Sequence, residues 1–547
     1  MMLLLVGVLV YANSLQGPLL LDDHGNIAAN PGIRRLWPLS AALAPPPGPI
    51  SFYTRPVLNL TMAWDYAHSG TGVAGYRRTN VTLHVLSGFM LFLLLGRLMR
   101  RRSCPSPWMD PDGFPAWLRP FFPDAAGVAS FAAALLWVAH PLNTAAMNYL
   151  SQRGELLVTL FILALFYSLM RAADAAPAGR WKWQAAAVIA CLLGMGSKEN
   201  MLVAPLLALV FDRLFLADSW REVFRRRGLV HGLLWLTAWW PIHRQWLHSP
   251  HFLPGAVPGD ARWHYALTQC WALARMLRLA FWPDPLVFYY GAGLVTDWRM
   301  VWPQALFLLA VVITSLWALF KYPRAGFAGA VFFGLLAPSS TLIPIWGQPV
   351  AEHRMYAPLA ALSALAAAGL CRIGMRARRR DVSLSAFLIL VLAASLGLGA
   401  MTSRRNAVYR DSLDLWLDTV RKVPGSHEAH NSAANMLAQR GRYEEAIFHY
   451  REAWRLKPES IQYLHNLAMT YLETGRFREA IPGLEKVLQE MPNDTRAILQ
   501  LARALAATGR REEALERLRV AAAARPDESE LKRMMAALDI PRPEKEP

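Results

Sequence analysis

The sequence predicts an all-α protein in two parts: a polytopic membrane module of about eleven spans, followed by an α-solenoid. Three observations predict it. Of 547 residues, 54% are hydrophobic and only 18% are charged, which is too apolar for a soluble chain of this size. The apolar residues gather in runs of about 20, the length that crosses a bilayer core as a helix. The final part of the chain loses those runs and repeats every 34 residues, a period typical of stacked helical hairpins.

The apolar runs fall near 1–14, 79–99, 125–146, 154–172, 183–197, 199–216, 229–247, 300–320, 326–345, 355–374 and 384–402. The first lacks the basic n-region and A-x-A site of a cleaved signal. It is therefore read as a retained, short first span. Lys and Arg then set the topology. Arg97 and Arg100 to Arg102 follow the second run, Arg171, Arg180 and Lys182 the fourth, and Arg213 with Arg221 and Arg225 to Arg227 the sixth. Lys321 and Arg324 follow the eighth, and Arg372, Arg376 and Arg378 to Arg380 the tenth. Every even-numbered exit is basic. That predicts a cytoplasmic N-terminus, an outer first loop (about 13–78) and an outer C-terminal region. Residues 261–290 are also apolar, but Arg262, Arg275, Arg278 and Asp284 interrupt them. Counted as a span, they would place the basic 372–380 cluster outside; they are read as an interfacial or re-entrant helix on the outer face. The net charge of +18 sits largely in these short clusters, which explains it as a topology signal and excludes nucleic acid as the partner. Cys104, Cys191, Cys270 and Cys371 show no paired or metal-like spacing.

After residue 403 the pattern becomes amphipathic. Gly441, Gly475 and Gly509 are 34 apart, as are Ala446, Ala480 and Ala514, and Pro458, Pro492 and Pro526. A mid-repeat Gly, a small Ala and a terminal Pro at that period identify a tetratricopeptide-type helix–turn–helix unit. Ser412–Pro424 reads as the second helix of a degenerate leading copy. The predicted domains are thus 1–403, a membrane module; 404–540, a repeat domain; and 541–547, a Pro- and charge-rich disordered tail. Ser432, Asn466 and Gln500 each lie nine residues before a repeat Gly. That register predicts a polar track for a polypeptide, although ordinary solvated positions would look the same.

Unusual polar sequence collects at the outer ends of spans. Asp22-Asp23-His24 stands just past the first apolar run, where charge is costly and reads as functional. Tyr53-Thr54-Arg55-Pro56 follows, then Asn80 and His84 at i, i+4, His140-Pro141, and Ser151-Gln152-Arg153-Gly154-Glu155. Ser197-Lys198-Glu199-Asn200 and Glu352-His353-Arg354-Met355-Tyr356 complete the set. Convergence of these on one outer cavity is the economical reading. Each has a bland alternative: Asp22-Asp23 as a helix cap, Lys198-Glu199 as a self-neutralised pair, Arg153 and Arg354 as interface anchors, Glu155, Glu352 and His353 as structural, and Asn80 and His84 as polar contacts between helices. The chemistry that fits is glycosyl transfer from a lipid-phosphate donor. Arg and Lys would meet the departing phosphate, and a carboxylate would take the proton of the incoming hydroxyl. The two aspartates could instead hold a divalent cation, and the residues alone leave base and metal ligand both open.

These motifs resemble a known family. The membrane part resembles the GT-C class of polyprenyl-phosphate-sugar-dependent glycosyltransferases, and more closely the transmembrane-and-tetratricopeptide-repeat O-mannosyltransferases and their bacterial relatives. Tyr11-Ala12-Asn13-Ser14-Leu15 leading to Leu21-Asp22-Asp23-His24 carries the likeness. So do Arg55-Pro56, Asn80 with His84, His140-Pro141, Arg153-Gly154-Glu155, Ser197-Lys198-Glu199 and Glu352 to Pro358. The resemblance implies acceptor activation by Asp22 and Asp23, with Arg153, Lys198 and Arg354 as donor-phosphate candidates. His24, Arg55, Asn80, His84, Glu155, Glu199, Glu352, His353 and Tyr356 would support them. It also implies an outer loop over the donor site at 248–299. The repeat array is shorter than in eukaryotic members, and the Arg/Ala-rich sequence looks bacterial. An undecaprenyl-phosphate donor, a multi-pass inner-membrane location and periplasmic repeats that recruit a polypeptide acceptor or partner are then expected. The alternatives are a lipid or envelope-glycan acceptor, or a non-enzymatic membrane-anchored scaffold. A transporter ranks last, since the membrane part shows no internal repeat.

Overall fold

The computed structural model describes residues 2–43, 54–101, 122, 124–248, 259–291, 293–342, 345, 347–376, 380–525 and 528–539. Tyr53, the span 541–547 and part of the 248–299 loop lie outside the described residues. Among the described residues all regular structure is helical. The chain divides into two compact units, one holding Met1–Phe288 with Ala292–Asp411, the other Ser412–Pro547 with Tyr289–Gly291.

Among the described residues of the first unit, five helices are long and apolar enough to cross a membrane: Val73–Arg100, Leu150–Asp174, Trp302–Lys321, Glu352–Ile373 and Leu384–Val408. The bent pair Ala125–Ala139 and Pro141–Asn148, turned by 51°, makes a sixth if taken as one span. Helices also form at the other predicted runs. Ala204–Phe215 and Pro323–Ala337 are only 12 and 15 residues long, and Pro177–Met195 and Trp220–His248 carry Arg near their starts. Residues 261–290 give the helix Gly259–Phe281 and then irregular chain. With its internal arginines this helix is not among those apolar enough to cross. It is tied to the unit instead, with the Tyr265 hydroxyl donating to Ser339 O at 2.7 Å and Gln269 Nε2 to Pro349 O at 3.0 Å.

Ala125–Ala139 is the central helix, and every residue in it except Leu136 is buried. Seven alanines and a glycine let its neighbours approach closely, the route by which apolar helices associate in lipid. At the crossing with Val73–Arg100, a Cβ on Gly88 would lie 2.5 Å from Val138 Cγ2, so no larger residue fits without a shift. The helix starts at Asp124, which accepts from Gly127 N at 2.8 Å and receives both Arg100 Nε and Nη2, at 2.6 and 2.9 Å. One carboxylate thus caps one helix and ties down the end of another.

The second unit stacks helical hairpins: His427–Gln439 with Tyr443–Leu456, Ile461–Glu473 with Phe477–Glu490, and Thr495–Ala507 with Arg511–Ala524. Ser412–Lys422 leads and Ser529–Asp539 follows. The 34-residue signature has a backbone cause. Gly441, Gly475 and Gly509 adopt φ of 73°, 72° and 86°, the left-handed conformation that ends a helix. The following N–H then reaches back to the helix, as in Arg476 N to Tyr471 O at 2.8 Å. Ala446, Ala480 and Ala514 are fully buried, where paired helices leave room for one methyl. A Cβ on Gly475 would meet nothing within 4 Å, so Gly475→Val acts through the backbone alone. We expect it to cost about 1–2 kcal/mol, read as a lower urea midpoint for the repeat unit.

Candidate functional site

The first helix ends at Tyr11 and the chain turns through Ser14–Pro18 toward the aspartates. Arg77, from the next long helix, fixes that turn. Its Nη1 donates to Ser14 O and Gln16 O at 2.6 and 2.7 Å, and Nη2 to Pro18 O at 3.3 Å. Leu21 then takes φ 43°, a left-handed conformation that a branched side chain rarely adopts and that marks a backbone held by its surroundings. Past that kink the two aspartates part company.

Asp23 is fully buried. Its carboxyl accepts from Leu20 N at 3.1 Å, Leu150 N at 3.3 Å, Ser151 N at 2.7 Å and Ser151 Oγ at 2.6 Å. It is a clasp between the first loop and the break before Arg153. Burial pushes its pKa up to about 6 despite those four hydrogen bonds. Asp22 is exposed, as is His24. The Asp22 N–H donates to the Tyr149 hydroxyl at 3.3 Å. Burial raises the Tyr149 pKa, and the neighbouring Asp22 and Asp23 charges add to the rise, so the phenol stays protonated beside the Asp22 carboxylate.

Tyr149 leads on to a charged cluster. Its ring stands edge-on to His353, with centroids 6.3 Å apart. His353 is buried and has Lys198, Arg354 and Arg55 as its charged neighbours. Arg55 pairs with Glu199 through Nη2 to Oε1 at 2.7 Å and Nε to Oε2 at 3.1 Å. Lys198 Nζ lies 2.8 Å from Glu155 Oε1 and donates to Gln152 Oε1 at 2.9 Å. Arg354 donates only to oxygens of neutral groups, with Nη1 to Pro349 O at 2.8 Å and Nη2 to Gln348 O. Of these cations, Arg354 is the one with no carboxylate ion pair among the described residues. Glu352 accepts from Val287 N at 2.6 Å, which anchors the turn carrying His353 and Arg354.

The other predicted residues sit in the packed interior. Arg153 is fully buried and 2.5 Å from Asp65. It also donates to Asn80 Oδ1 at 2.7 Å, Thr61 O at 3.1 Å and Tyr76 O at 2.9 Å. Its charge is met inside the protein. Asn80 completes the lattice by donating to Met147 O at 3.0 Å. His84 Nε2 lies 3.0 Å from Val138 O, which can only accept, so this nitrogen carries the proton and Nδ1 accepts from the Tyr356 hydroxyl at 2.7 Å. With Tyr11 and Trp137 these two rings form an aromatic pillar at the centre of the helices. Sequence reasoning gave no role to Tyr149, Gln152 or Asp65, and none to Arg77 or Ser151 singly. Arg77 and Asp65 carried the one available signal, a charge beside or within an apolar helix, although Arg77 is paired in sequence with Arg78. In the repeats, Ser432, Asn466 and Gln500 are half-buried, and Asn466 Nδ2 donates to Asn431 Oδ1 at 3.1 Å. Among the described residues no three His, Cys, Asp or Glu side chains group closely enough to hold a metal ion.

A tetratricopeptide-repeat model matches residues 472–538, and a second TPR repeat model matches 434–475. The human protein O-mannosyl-transferase TMTC1 is 24% identical over 84% of this chain and 55% of its own length. The Caenorhabditis elegans protein O-mannosyl-transferase F38B6.6 is 22% identical over 84% of this chain and 62% of its own. The chain is a relative of the TMTC-type protein O-mannosyl-transferases. It therefore spans a little over half the length of these relatives. Its several apolar helices and this relationship make it a multi-pass membrane protein. The solved structure of MamA from residue 41 to its end, from Desulfovibrio magneticus RS-1, is similar over 23% of this chain and 72% of its own, at 21% identity and a TM-score of 0.22.

Proposed function

We propose that this chain is a membrane glycosyltransferase that moves a sugar from a polyprenyl-phosphate donor to a hydroxyl of a polypeptide on the extracytoplasmic face. The observation that carries the proposal is the division of labour between the aspartates. Asp22 is exposed at the end of a turn fixed by Arg77, while Asp23 is consumed in holding it there. The relatives' names, protein O-mannosyl-transferase, favour a mannose-like sugar and a protein acceptor. In the proposed reaction Asp22 takes the proton of the acceptor hydroxyl as its oxygen bonds to the anomeric carbon. The bond from that carbon to the phosphate oxygen breaks, and the lipid phosphate leaves with the electron pair. Arg354, which has no carboxylate ion pair among the described residues, meets the new negative charge, and Lys198 beside it divides its charge between Glu155 and the phosphate. Tyr149 and His353 hold the space between base and cations. Arg153, Asn80, His84 and Tyr356 position the helices that carry the site. Both Asp23 oxygens already accept from protein groups, which favours Asp22 acting as a base over a two-aspartate metal chelate.

The lipid would be undecaprenyl phosphate in a bacterial inner membrane, with the N-terminus cytoplasmic and the repeats, 412–540, facing the periplasm to present the acceptor. The test is the full-length protein in proteoliposomes with polyprenyl-phosphate mannose and a Ser/Thr-containing polypeptide, read by mass spectrometry. Transfer to the polypeptide supports the reading. Transfer only to lipid or glycan moves the acceptor to the alternative class, and no transfer to any acceptor overturns the enzyme. Arg354→Gln is expected to raise the donor KM by about tenfold or more, the scale of one charged hydrogen bond, with the polypeptide KM unchanged, whereas Lys198→Gln also strands the buried Glu155 and lowers the melting temperature. Steady-state kinetics with each substrate varied in turn checks this.

A further inference from the structure

A second site lies within the first unit, away from the aspartates. A cavity of about 400 Å³ opens between Val73–Arg100, Arg153–Asp174, Ala204–Phe215, Pro323–Ala337 and Tyr356–Arg376. That volume falls within the range of ligand sites. Its wall is almost wholly apolar, with Leu91, Leu95, Phe166, Phe211, Leu335 and Ala364 among its residues. Two of its lining residues are charged, and both are arginines: Arg324 and Arg372. Neither forms an ion pair or a hydrogen bond among the described residues.

The two arginines stand at the far end of their helices from the site. Tyr356 and Arg372 are sixteen residues apart on one helix (372 − 356), about 24 Å at 1.5 Å per residue. That is most of a hydrocarbon core. A phosphate held at Arg354 cannot also touch Arg372, so a polyprenyl-phosphate donor does not account for the arginine end of the groove. Arg324 opens the helix Pro323–Ala337 in its first turn. Its cation gains nothing from the positive end of that helix dipole, and the groove offers it no carboxylate. An apolar slot ending in two unneutralised guanidiniums at bilayer-surface depth is complementary to one class of molecule. We propose that it binds an anionic phospholipid of the leaflet opposite Asp22, with an acyl chain in the groove and the phosphate on Arg324 and Arg372. The proposal is independent of the transfer reaction.

The test uses the purified full-length protein in detergent, titrated with phosphatidylglycerol and read by native mass spectrometry. Phosphatidylcholine, inorganic phosphate and undecaprenyl phosphate are competitors. One phosphatidylglycerol is expected to stay bound, and Arg324→Gln with Arg372→Gln to weaken it about thirtyfold, taking roughly 1 kcal/mol for each cation near an anionic headgroup. Ala364→Trp, which fills the groove, should abolish binding with the charges intact. Both arginines are solvent-accessible, so the charge variants keep the fold, and a melting curve verifies it. Equal binding by wild type and the double variant overturns the proposal. So does equal competition by phosphatidylcholine, or displacement by inorganic phosphate, which would mark a small-anion site. Displacement by undecaprenyl phosphate at equal concentration overturns it too, by making this the donor's groove.

Discussion

Asp22→Asn lowers kcat for sugar transfer by about 10²–10⁴-fold, the range of a lost general base, and leaves the melting temperature where it was. Asp23→Asn does the reverse in kind: it damages the fold first and activity in consequence. The difference follows from what each carboxyl touches. Asp22 is exposed, and the Tyr149 hydroxyl beside its carboxyl can still donate to the oxygen of the amide. Asp23 is the acceptor for three backbone N–H groups and the Ser151 hydroxyl. An amide turns one of its two oxygens into a donor facing donors, and each buried N–H left unpaired costs about 1–3 kcal/mol. The two also differ with pH. Burial raises the Asp23 pKa from 3.8 to about 6 against those four donors, so the folded chain binds this proton more tightly than the unfolded chain does. Its contribution is fully present below about pH 4 and is lost as pH rises through 6. Wild type should therefore lose stability between pH 4 and 7, by about 3 kcal/mol from this group, and Asp23→Asn should flatten that slope while Asp22→Asn keeps it. Thermal melts at a series of pH values, paired with initial rates, separate the two residues. Equal loss of rate in both variants with unchanged melts would sink the assignment of separate roles.

The helical class and the repeat unit were legible because their causes are local. A 34-residue spacing of glycines records a backbone conformation that each glycine adopts by itself, at φ near 70–90°. Burial of Ala446, Ala480 and Ala514 likewise needs only the neighbouring helix. The candidate site was legible as a set of residue types at helix ends, and the structure brings Arg55, Glu155, Lys198, Glu199, His353 and Arg354 together. What the linear chain could not carry was who pairs with whom. Arg153 and Arg354 look alike in sequence. One finds a carboxylate 88 positions away (153 − 65), and the other finds only oxygens of neutral groups. Whether a charge is available to a substrate depends on that tertiary partner. The same holds for the aspartate pair, where adjacent residues point to opposite fates because Ser151, 128 positions on, captures only the second.

Arg153 gives the second large effect, and its sign distinguishes a structural cation from a phosphate ligand. With Asp65 at 2.5 Å and both side chains buried, Arg153→Met leaves an uncompensated carboxylate in an apolar interior. Breaking one side of such a pair costs about 3–5 kcal/mol. Asp65 is further held by Thr79 Oγ1 at 2.6 Å, and that single hydroxyl replaces little of the guanidinium. Removing both charges together, Arg153→Met with Asp65→Leu, exchanges a desolvated ion pair for apolar packing, which is often neutral in stability. The double variant should then recover most of the lost melting temperature and, with it, most of the transfer rate and an unchanged donor KM. A phosphate ligand behaves otherwise: its loss raises donor KM whether or not Asp65 is present, and no change at Asp65 restores it. Arg354 supplies the control within the same molecule. It lacks a carboxylate partner to remove, so the Arg354→Gln defect should stay in donor KM and resist rescue by Asp65→Leu. A double-mutant cycle in stability and in KM, run on both arginines, reads the two roles apart. If Arg153→Met with Asp65→Leu folds as well as wild type yet shows the donor KM of Arg354→Gln, then Arg153 belongs with the cations that face the phosphate.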